Sequence, residues 1–509
     1  MLKLCKSYRE NIAEMDRELR VSENFDLIKK TLYIGSDEVT LYYIDGFVDG
    51  TSMNKLMIYF LSLKNLGTPD GDGEDAAARY FCEHHVPYVE AEVSGNPETL
   101  LRMLLSGTSL LFGETFGAYA IIIDSRTYPT RSVQEPESDR VMLGARDGFV
   151  ETLVFNTAMI RRRIRDPALT MQYLNIGSRS RTDVVLCYLE GSADPGYVQR
   201  LSEKLKSIDT GSLTMGHESL AELLIHRRWY NPFPKIRYTE RPDVAAAQLL
   251  EGSVLILCDN SPDVMVLPST IFDFLQETND FYFPPLTGTY IRFVRHLVFW
   301  ATLLLIPAWF LLVRNPELTP GWLRFALPVE EGRLPILVQL LLVEFMIDVL
   351  RLASMNTPDM LSNSLSVVGG LILGDFAVSI GWLIPEVILY MAFVAIANFT
   401  QRSFELGYAF KFLRIALLIL IQLFNFVGFW IGFFGILLLL ATNKTVNGKR
   451  SYLYPLIPFN GKALLSLFFR LRKDRLRGSE VRRRAGAGAA GTEGPGKTDG
   501  GASGSGDSA

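Results

Sequence analysis

The stretch "LLLVEFMIDVLRLA", residues 340 to 353, carries Glu344, Asp348 and Arg351 inside an otherwise apolar run. Spacings of four and three residues put all three on one face of a helix. In a membrane span, an ionised side chain costs about 2.5 to 3.5 kcal/mol at the centre even on lenient insertion scales, so it faces a bundle interior or water. Two arrangements meet that cost. In a purely structural one, Arg351 pairs with Asp348 one turn away and Glu344 finds a donor on another helix. In the other the three groups line a hydrated path, where one arginine cannot neutralise both acids plus Asp375 and the negative excess favours cations. Further on, "VVGGLILGDFAVSIGWLIPEV" adds Asp375 in mid-run and Glu386 beside Pro385 at a break. Gly370 and Gly374 in the same segment have the G-x-x-x-G spacing that lets helices approach closely.

Positioning such groups takes several apolar helices. The apolar spans fall at about 297 to 313, 334 to 353, 365 to 384, 385 to 400 and 412 to 441. Several are shorter than the roughly 20 residues that cross a bilayer unaided. They begin after "FYFPPLTGTYIRFVRHL", where Pro284 and Pro285 break regular structure. Tyr290, Arg292, Phe293 and Arg295 then supply the aromatic and basic side chains that anchor at lipid headgroups. The segment from 443 to 484 holds twelve Lys or Arg against two acids, which places it in the cytoplasm by the positive-inside bias. The loop 314 to 333, with three bases and three acids, fits the far side. The charged start "MLKLCKSYRENIAEMDRELR" has no secretory h-region, so the first domain is expected to be cytosolic as well. Both ends inside require an even number of crossings. Four or six are expected, depending on whether Pro385 and "NFVGFWIGFFG" mark true hairpins.

The first 285 residues mix charged and apolar positions as a soluble domain does, and they echo themselves. "VTLYYIDGFVDG" at 39 to 50 and "DVVLCYLEGSADPG" at 183 to 196 each run from an apolar strand into an acidic residue and a glycine, Asp45-Gly46 or Glu190-Gly191, and then into an amphipathic helix. "AYAIIIDS" and "SVLILCDN" form a second pair. Strands that are apolar without alternation suit the middle of a sheet covered by helices. The acid-glycine turns are either ordinary turn chemistry or, at strand ends, ligand positions.

The pattern implies an α/β cytosolic domain made of two tandem related subdomains, at 1–145 and 169–283, joined by a linker helix at 146–168. An all-α polytopic membrane domain at 284–442, a basic tail at 443–484 and a disordered Gly/Ala/Ser tail at 485–509 follow. The linker helix ends in Arg161, Arg162, Arg163 and Arg165, which suit a helix C-terminus and equally suit an anionic lipid surface or an acidic partner.

Other chemistries lack a foothold. "GTEGPGKT" at 491 to 498 satisfies the phosphate-loop expression, but no strand precedes it and no helix follows, so no nucleotide is expected there. Adjacent His84 and His85 point in different directions, and Cys5, Cys82, Cys187 and Cys258 form no C-x-x-C pair. These thiols read as buried and reduced. A net charge of −4 over 509 residues gives no basis for nucleic-acid binding. No nucleophile with its base is assembled, so no enzyme, metal or cofactor is expected.

Several segments carry a likeness. "FDLIKK", "YYIDGFVDG", "RYTERPDVAAAQLLEG", "GTYIRFVRHLVFWATLLLIPAW", "MNTPDMLSNSLSVVGGLILGDFAVSIGWLIPEVILYMAFVAIANF", "FELGYAFKFLRI" and "YLYPLIPFNGKAL" resemble segments of the A subunits of GerA-type spore germinant receptors, and the likeness spans about 22 to 470. It implies a protein of the spore inner membrane with a two-part cytosolic domain and a membrane domain that oligomerises into an ion channel opening early in germination. Other germination membrane proteins would be its partners. The rival expectation is a scaffold that clusters receptors without conducting. Asp375 stands where those A subunits usually have glutamine.

Overall fold

Ala120–Ile123 has every side chain buried, so a sheet containing it must be covered on both faces. The chain builds such a sheet twice. The computed structural model describes residues 4–67, 73–87, 90–126, 144–225, 230–277, 283–329, 332–356, 377–401, 403–446, 452–457 and 459–469.

The first subdomain runs α1 (Tyr8–Leu19), β1 (Leu27–Ile34), β2 (Asp37–Ile44), α2 (Gly50–Ser62), α3 (Ala76–His85), β3 (Ala91–Ser94), α4 (Pro97–Leu105), β4 (Ser109–Gly113) and β5 (Ala120–Ile123). The second repeats the order as α5 (Leu153–Arg163), β6 (Leu169–Ile176), β7 (Thr182–Leu189), α6 (Pro195–Lys206), α7 (His217–Leu224), β8 (Arg237–Thr239), α8 (Pro242–Leu250), β9 (Val254–Cys258) and β10 (Val264–Leu267). The sheets are ordered β1-β2-β4-β5-β3 and β6-β7-β9-β10-β8, the same topology twice. Every strand pair in both is antiparallel, so the rule that places ligands at the strand ends of open parallel sheets does not carry over.

Neighbouring residues on one strand serve opposite cores. Leu110 and Ile122 pack under α1 and α4 with Met15, Leu100 and Leu104. Leu111 and Ile121 pack under α2 and α3 with Leu56, Phe60 and Phe81. In the second sheet Leu255 and Leu257 meet α5 and α8, while Ile256 and Cys258 meet α6 and α7. Period-two alternation between two buried faces is why these strands read as unbroken apolar runs.

The helix expected as a linker inside 146–168 is α5, and it holds in the second subdomain the place that α1 holds in the first. Its Leu153 and Ile160 belong to the second core, and Ala158 on another face belongs to the first. Arg161, first of the basic cluster, is fully buried and donates from Nε and Nη2 to Asp26 at 2.9 and 3.1 Å, with Nη1 on the Leu169 carbonyl at 3.0 Å. Arg163 is engaged by Asp147 and by the Met159 carbonyl, leaving Arg162 and Arg165 exposed.

The two acid-glycine turns occupy equivalent places, just after β2 and β7. The Asp45 and Glu190 amides donate to the carbonyls of Asp26 and Ala168 at 2.8 and 3.0 Å. Gly46 and Gly191 follow with φ of 79° and 75°, the left-handed region that glycine enters at no steric cost. Glu190 is ion-paired to Arg20 at 2.5 Å, so its carboxylate ties α1 to the second subdomain. All four cysteines are free thiols. Cys187 and Cys258 are buried, and burial pushes the Cys258 thiol up to about 12. Cys5 and Cys82 are half-buried, short of the expectation for all four.

After a short 3-10 turn at Ile271–Leu275 the chain becomes helical: α9 (Pro285–Arg314), α10 (Ile336–Asn356), α11 (Pro385–Phe399), α12 (Phe404–Thr442) and α13 (Gly461–Phe468), with 3-10 turns at Pro316–Leu318 and Gly321–Ala326 and a single helical turn at Ala377–Ser379. By length and composition α9 and α12 could each cross a membrane.

The α12 helix is broken at Asn425, whose φ of 54° and ψ of −128° are not helical. Beyond it the chain doubles back. A Cβ on Gly428 would stand 2.0 Å from the Leu420 carbonyl, and one on Gly432 would stand 2.3 Å from Leu417 Cδ1. Residues 8 and 15 apart cannot touch on a straight helix rising about 1.5 Å per residue. The "NFVGFWIGFFG" segment is therefore a true helical hairpin.

The second subdomain is seated on the helices. Phe233, Ile271 and Phe272 share one core with Phe299, Phe410, Leu440 and Tyr452. Tyr452 and Tyr197 donate from their hydroxyls to the Pro234 and Val446 carbonyls at 2.7 and 2.9 Å.

Candidate functional site

Two charged faces meet where α10 packs on α12. On α10 the acids stand four apart, Glu344 and Asp348; on α12 the bases stand three apart, Lys411 and Arg414. Each pair lies on one helix face, so the four form a ladder between helices. Ser403 starts α12 by accepting the Leu406 amide at 3.3 Å, which places Lys411 and Arg414 two and three turns into the helix.

Arg414 is the centre. Its Nε donates to Glu344 Oε1 at 2.7 Å, its Nη2 reaches the same oxygen, and its Nη1 donates to the Thr302 carbonyl of α9. One guanidinium therefore joins three helices through a fixed fork of donors. Lys411 bonds Asp348 and also donates to the Glu344 carbonyl at 3.2 Å, with the Glu344 carboxylate at 3.6 Å. The Thr302 hydroxyl accepts from Gln401 Nε2 at 3.1 Å, bringing in the end of α11. Side-chain exposure falls from 30% at Asp348 to 6% at Glu344 and 1% at Arg414, so the ladder runs from a half-open rim to a dry interior.

Two acids and two bases cancel. The negative excess expected from the sequence sets Glu344, Asp348 and Asp375 against Arg351 and leaves out the bases of α12. Lys411 and Arg414 supply the missing cations from "FELGYAFKFLRI", where a Lys and an Arg three apart precede a long apolar run. Matching that spacing against the two acids is the signal that finds them. Arg351 is placed differently from the sequence expectation. Its guanidinium carbon sits 5.5, 5.9 and 5.5 Å from the ring centres of Phe399, Phe404 and Tyr408, while Asp348 takes its cation from Lys411. Faces of three rings attract a cation where water is scarce.

Glu386 lies elsewhere, in the first turn of α11, where Oε1 accepts the Val329 amide at 3.2 Å. Asp375, Gly370 and Gly374 lie outside the described residues, as does the phosphate-loop-like segment. Asp45 and Glu190 belong to the turns after β2 and β7 described above. His84 stacks on Tyr80 at 4.3 Å and His85 faces Phe81 at 5.4 Å. Among the described residues no group of three or more His, Cys, Asp or Glu is placed to hold a metal ion.

A duplicated antiparallel α/β domain seated on apolar helices that are stitched by buried charges defines the class of molecule. A family model described as "Bacillus/Clostridium GerA spore germination protein" matches residues 14–480. The chain belongs to that family. It is 36% identical over 481 residues to "Stage V sporulation protein AF" of Bacillus subtilis, covering 94% of this chain and 95% of that one. It is 28% identical to "Spore germination protein KA" of the same organism, covering 92% and 85%. Among solved structures, the N-terminal domain of the A subunit of the Bacillus megaterium spore germinant receptor GerK3 is similar, at 27% identity and a TM-score of 0.40 over 53% of this chain and 97% of that one.

Proposed function

We propose that this chain is a multi-pass protein of the spore inner membrane that serves germination as the ion-conducting subunit of a homo-oligomer, alongside other germination membrane proteins. The observation that carries the multi-pass part of the reading is the buried ladder on Glu344, Asp348, Lys411 and Arg414, since charges set among apolar helices face a bundle interior and not lipid, while the conducting part rests on Asp375.

Support for the crossing number comes from which helix ends meet. Phe410, early in α12, touches the N-terminal domain, and Arg351, late in α10, sits by Phe404 at the start of α12. Those ends form the near side. Arg314 donates to the Ile421 carbonyl at 3.0 Å, and Asn315 exchanges amide hydrogen bonds with Asn425 at 2.7 and 2.8 Å, so the far side holds the hairpin tip. The Arg333 amide donates to the Gly381 carbonyl at 3.1 Å, which puts Gly381 there too. In this proposal α9, α10, α11 and both arms of α12 make five crossings, and the even total that two cytoplasmic ends require is then six, with the N-terminal domain and the basic segment 443–484 both on the cytoplasmic side.

A charge-balanced ladder fits a joint that holds the helices in register better than it fits a path lining. In this proposal the lining falls to Asp375. The ladder's neutrality also favours a second reading, a non-conducting scaffold. Potassium flux through vesicles reconstituted with the full chain separates the two. Conduction predicts flux that changes in Asp375→Asn at equal oligomer content. Flux no greater than in empty vesicles, with the oligomer intact, leaves the scaffold.

A further inference from the structure

The connection between α9 and α10 turns its largest apolar side chains outward. Trp322, Phe325 and Val329 are 75%, 81% and 88% exposed, and Arg324 between them is exposed too. A loop in water does not gain by presenting such groups, yet this one is fastened to the bundle at two points. Trp309 Nε1 of α9 donates to the Ala326 carbonyl at 2.7 Å, and the Val329 amide donates to Glu386 Oε1 of α11 at 3.2 Å. The polar backbone is spent inward and the aromatic side chains are held out.

We infer that the segment from 321 to 329 is an interfacial anchor that inserts into the headgroup zone of the leaflet opposite the N-terminal domain. The partner is the bilayer itself, and the inference rests on the membrane-crossing reading above. Distance supports this choice of partner. The apolar run from 297 to 313 of α9, at about 1.5 Å per residue, spans most of a hydrocarbon core of about 30 Å. The loop that follows Arg314 therefore emerges at the far interface. Trp and Phe with one exposed Arg are what that zone selects, the rings at the acyl boundary and the guanidinium on phosphate. On α11, to which the loop is tied through Glu386, Leu389, Phe393 and Ile396 are exposed on one face as well. Because the loop is tied to both α9 and α11, its seat in the headgroups fixes the depth of both helices.

The test uses the full chain in phosphatidylcholine and phosphatidylglycerol vesicles carrying acyl chains brominated at shallow or deep positions. Subtracting the emission of Trp322→Phe from that of the wild type isolates Trp322. The anchor predicts a blue-shifted component that loses most of its intensity to shallow bromines, less to deep ones, and little to aqueous iodide. Quenching by iodide and by no brominated lipid overturns the inference. Quenching by neither also overturns it and assigns the loop to a protein partner or a second copy. An alkaline wash of the same vesicles keeps the two readings apart. Chain stripped from the lipid sinks the membrane-crossing reading, whereas chain retained with Trp322 open to iodide sinks the anchor alone.

Discussion

Arg414 of α12 and Glu344 of α10 form the innermost pair of the helical domain, with Nε to Oε1 at 2.7 Å and both residues buried. Neither charge has water to fall back on. Their attraction offsets a desolvation penalty of several kcal/mol per ion only while both are present.

Arg414→Ala is therefore expected to cost about 3–5 kcal/mol, because it leaves Glu344 buried and uncompensated. Adding Glu344→Leu to that variant should recover much of the loss. Arg351→Ala gives up about 0.5–2 kcal/mol through its contacts with the three ring faces. Thermal unfolding of the purified chain in detergent gives the ranking. An Arg414→Ala protein that melts with the wild type would remove the ladder from the stability argument.

The ladder was half legible in the sequence. Glu344 and Asp348 stand out because an acid in an apolar run is costly wherever it ends up. Lys411 and Arg414 do not, since a base at the start of an apolar helix is ordinary and their partners lie 63 and 70 residues away along the chain. The duplicated fold was legible for the opposite reason. Asp45-Gly46 and Glu190-Gly191 mark the same turn twice, and a positive φ after a strand leaves a local trace. The antiparallel pairing left none, because strands covered on both faces look alike whichever way their neighbours run. The place of α5 in both cores left no such trace, because Arg161 looks like part of a basic helix end and its partner is an aspartate 135 residues earlier.

That buried pair leads to a second expectation. Arg161→Ala should loosen the joint between the subdomains and cost about 3–5 kcal/mol, while Arg161→Leu combined with Asp26→Leu should be far milder. Limited proteolysis of the full chain between 144 and 169 reads the joint directly. Equal cutting rates in wild type and Arg161→Ala would mean that the interface is held by the apolar contacts of α5 alone.

The seat of the second subdomain on the helices is tested by Phe233→Ala. Phe233 is buried, with its ring centre 6.4 Å from that of Phe410, one residue before Lys411. Truncating a buried phenylalanine costs about 3–5 kcal/mol. Hydrogen exchange should speed up across 271–275 while β7 and β9 stay protected, since those strands belong to a separate core. Faster exchange everywhere would show that subdomain and seat unfold as one unit.

The hairpin in α12 gives the most discriminating set of variants. Asn425 holds its turn in two ways, through backbone angles that side chains rarely adopt and through two amide hydrogen bonds with Asn315. Asn425→Ala gives up the bonds, at about 1 kcal/mol each, and keeps the strained backbone. Asn425→Gly gives up the same bonds but relieves strain of about 1–3 kcal/mol, so it should lie close to the wild type and above the alanine variant. Gly428→Ala should be the worst of the three, because its methyl group would meet the Leu420 carbonyl 2.0 Å away, and neither backbone can yield without opening the turn. Detergent melting temperatures test the order. A second measurement tests what the turn is for. In a chain freed of its native cysteines, Lys444→Cys reacts with an impermeant maleimide on one side of a vesicle, and that side should be the one that carries the N-terminal domain. If the hairpin governs topology, Gly428→Ala moves the reaction to the opposite side or splits it between both. Unchanged sidedness together with an unchanged melting temperature would mean that the two arms of α12 are held antiparallel by something other than the turn.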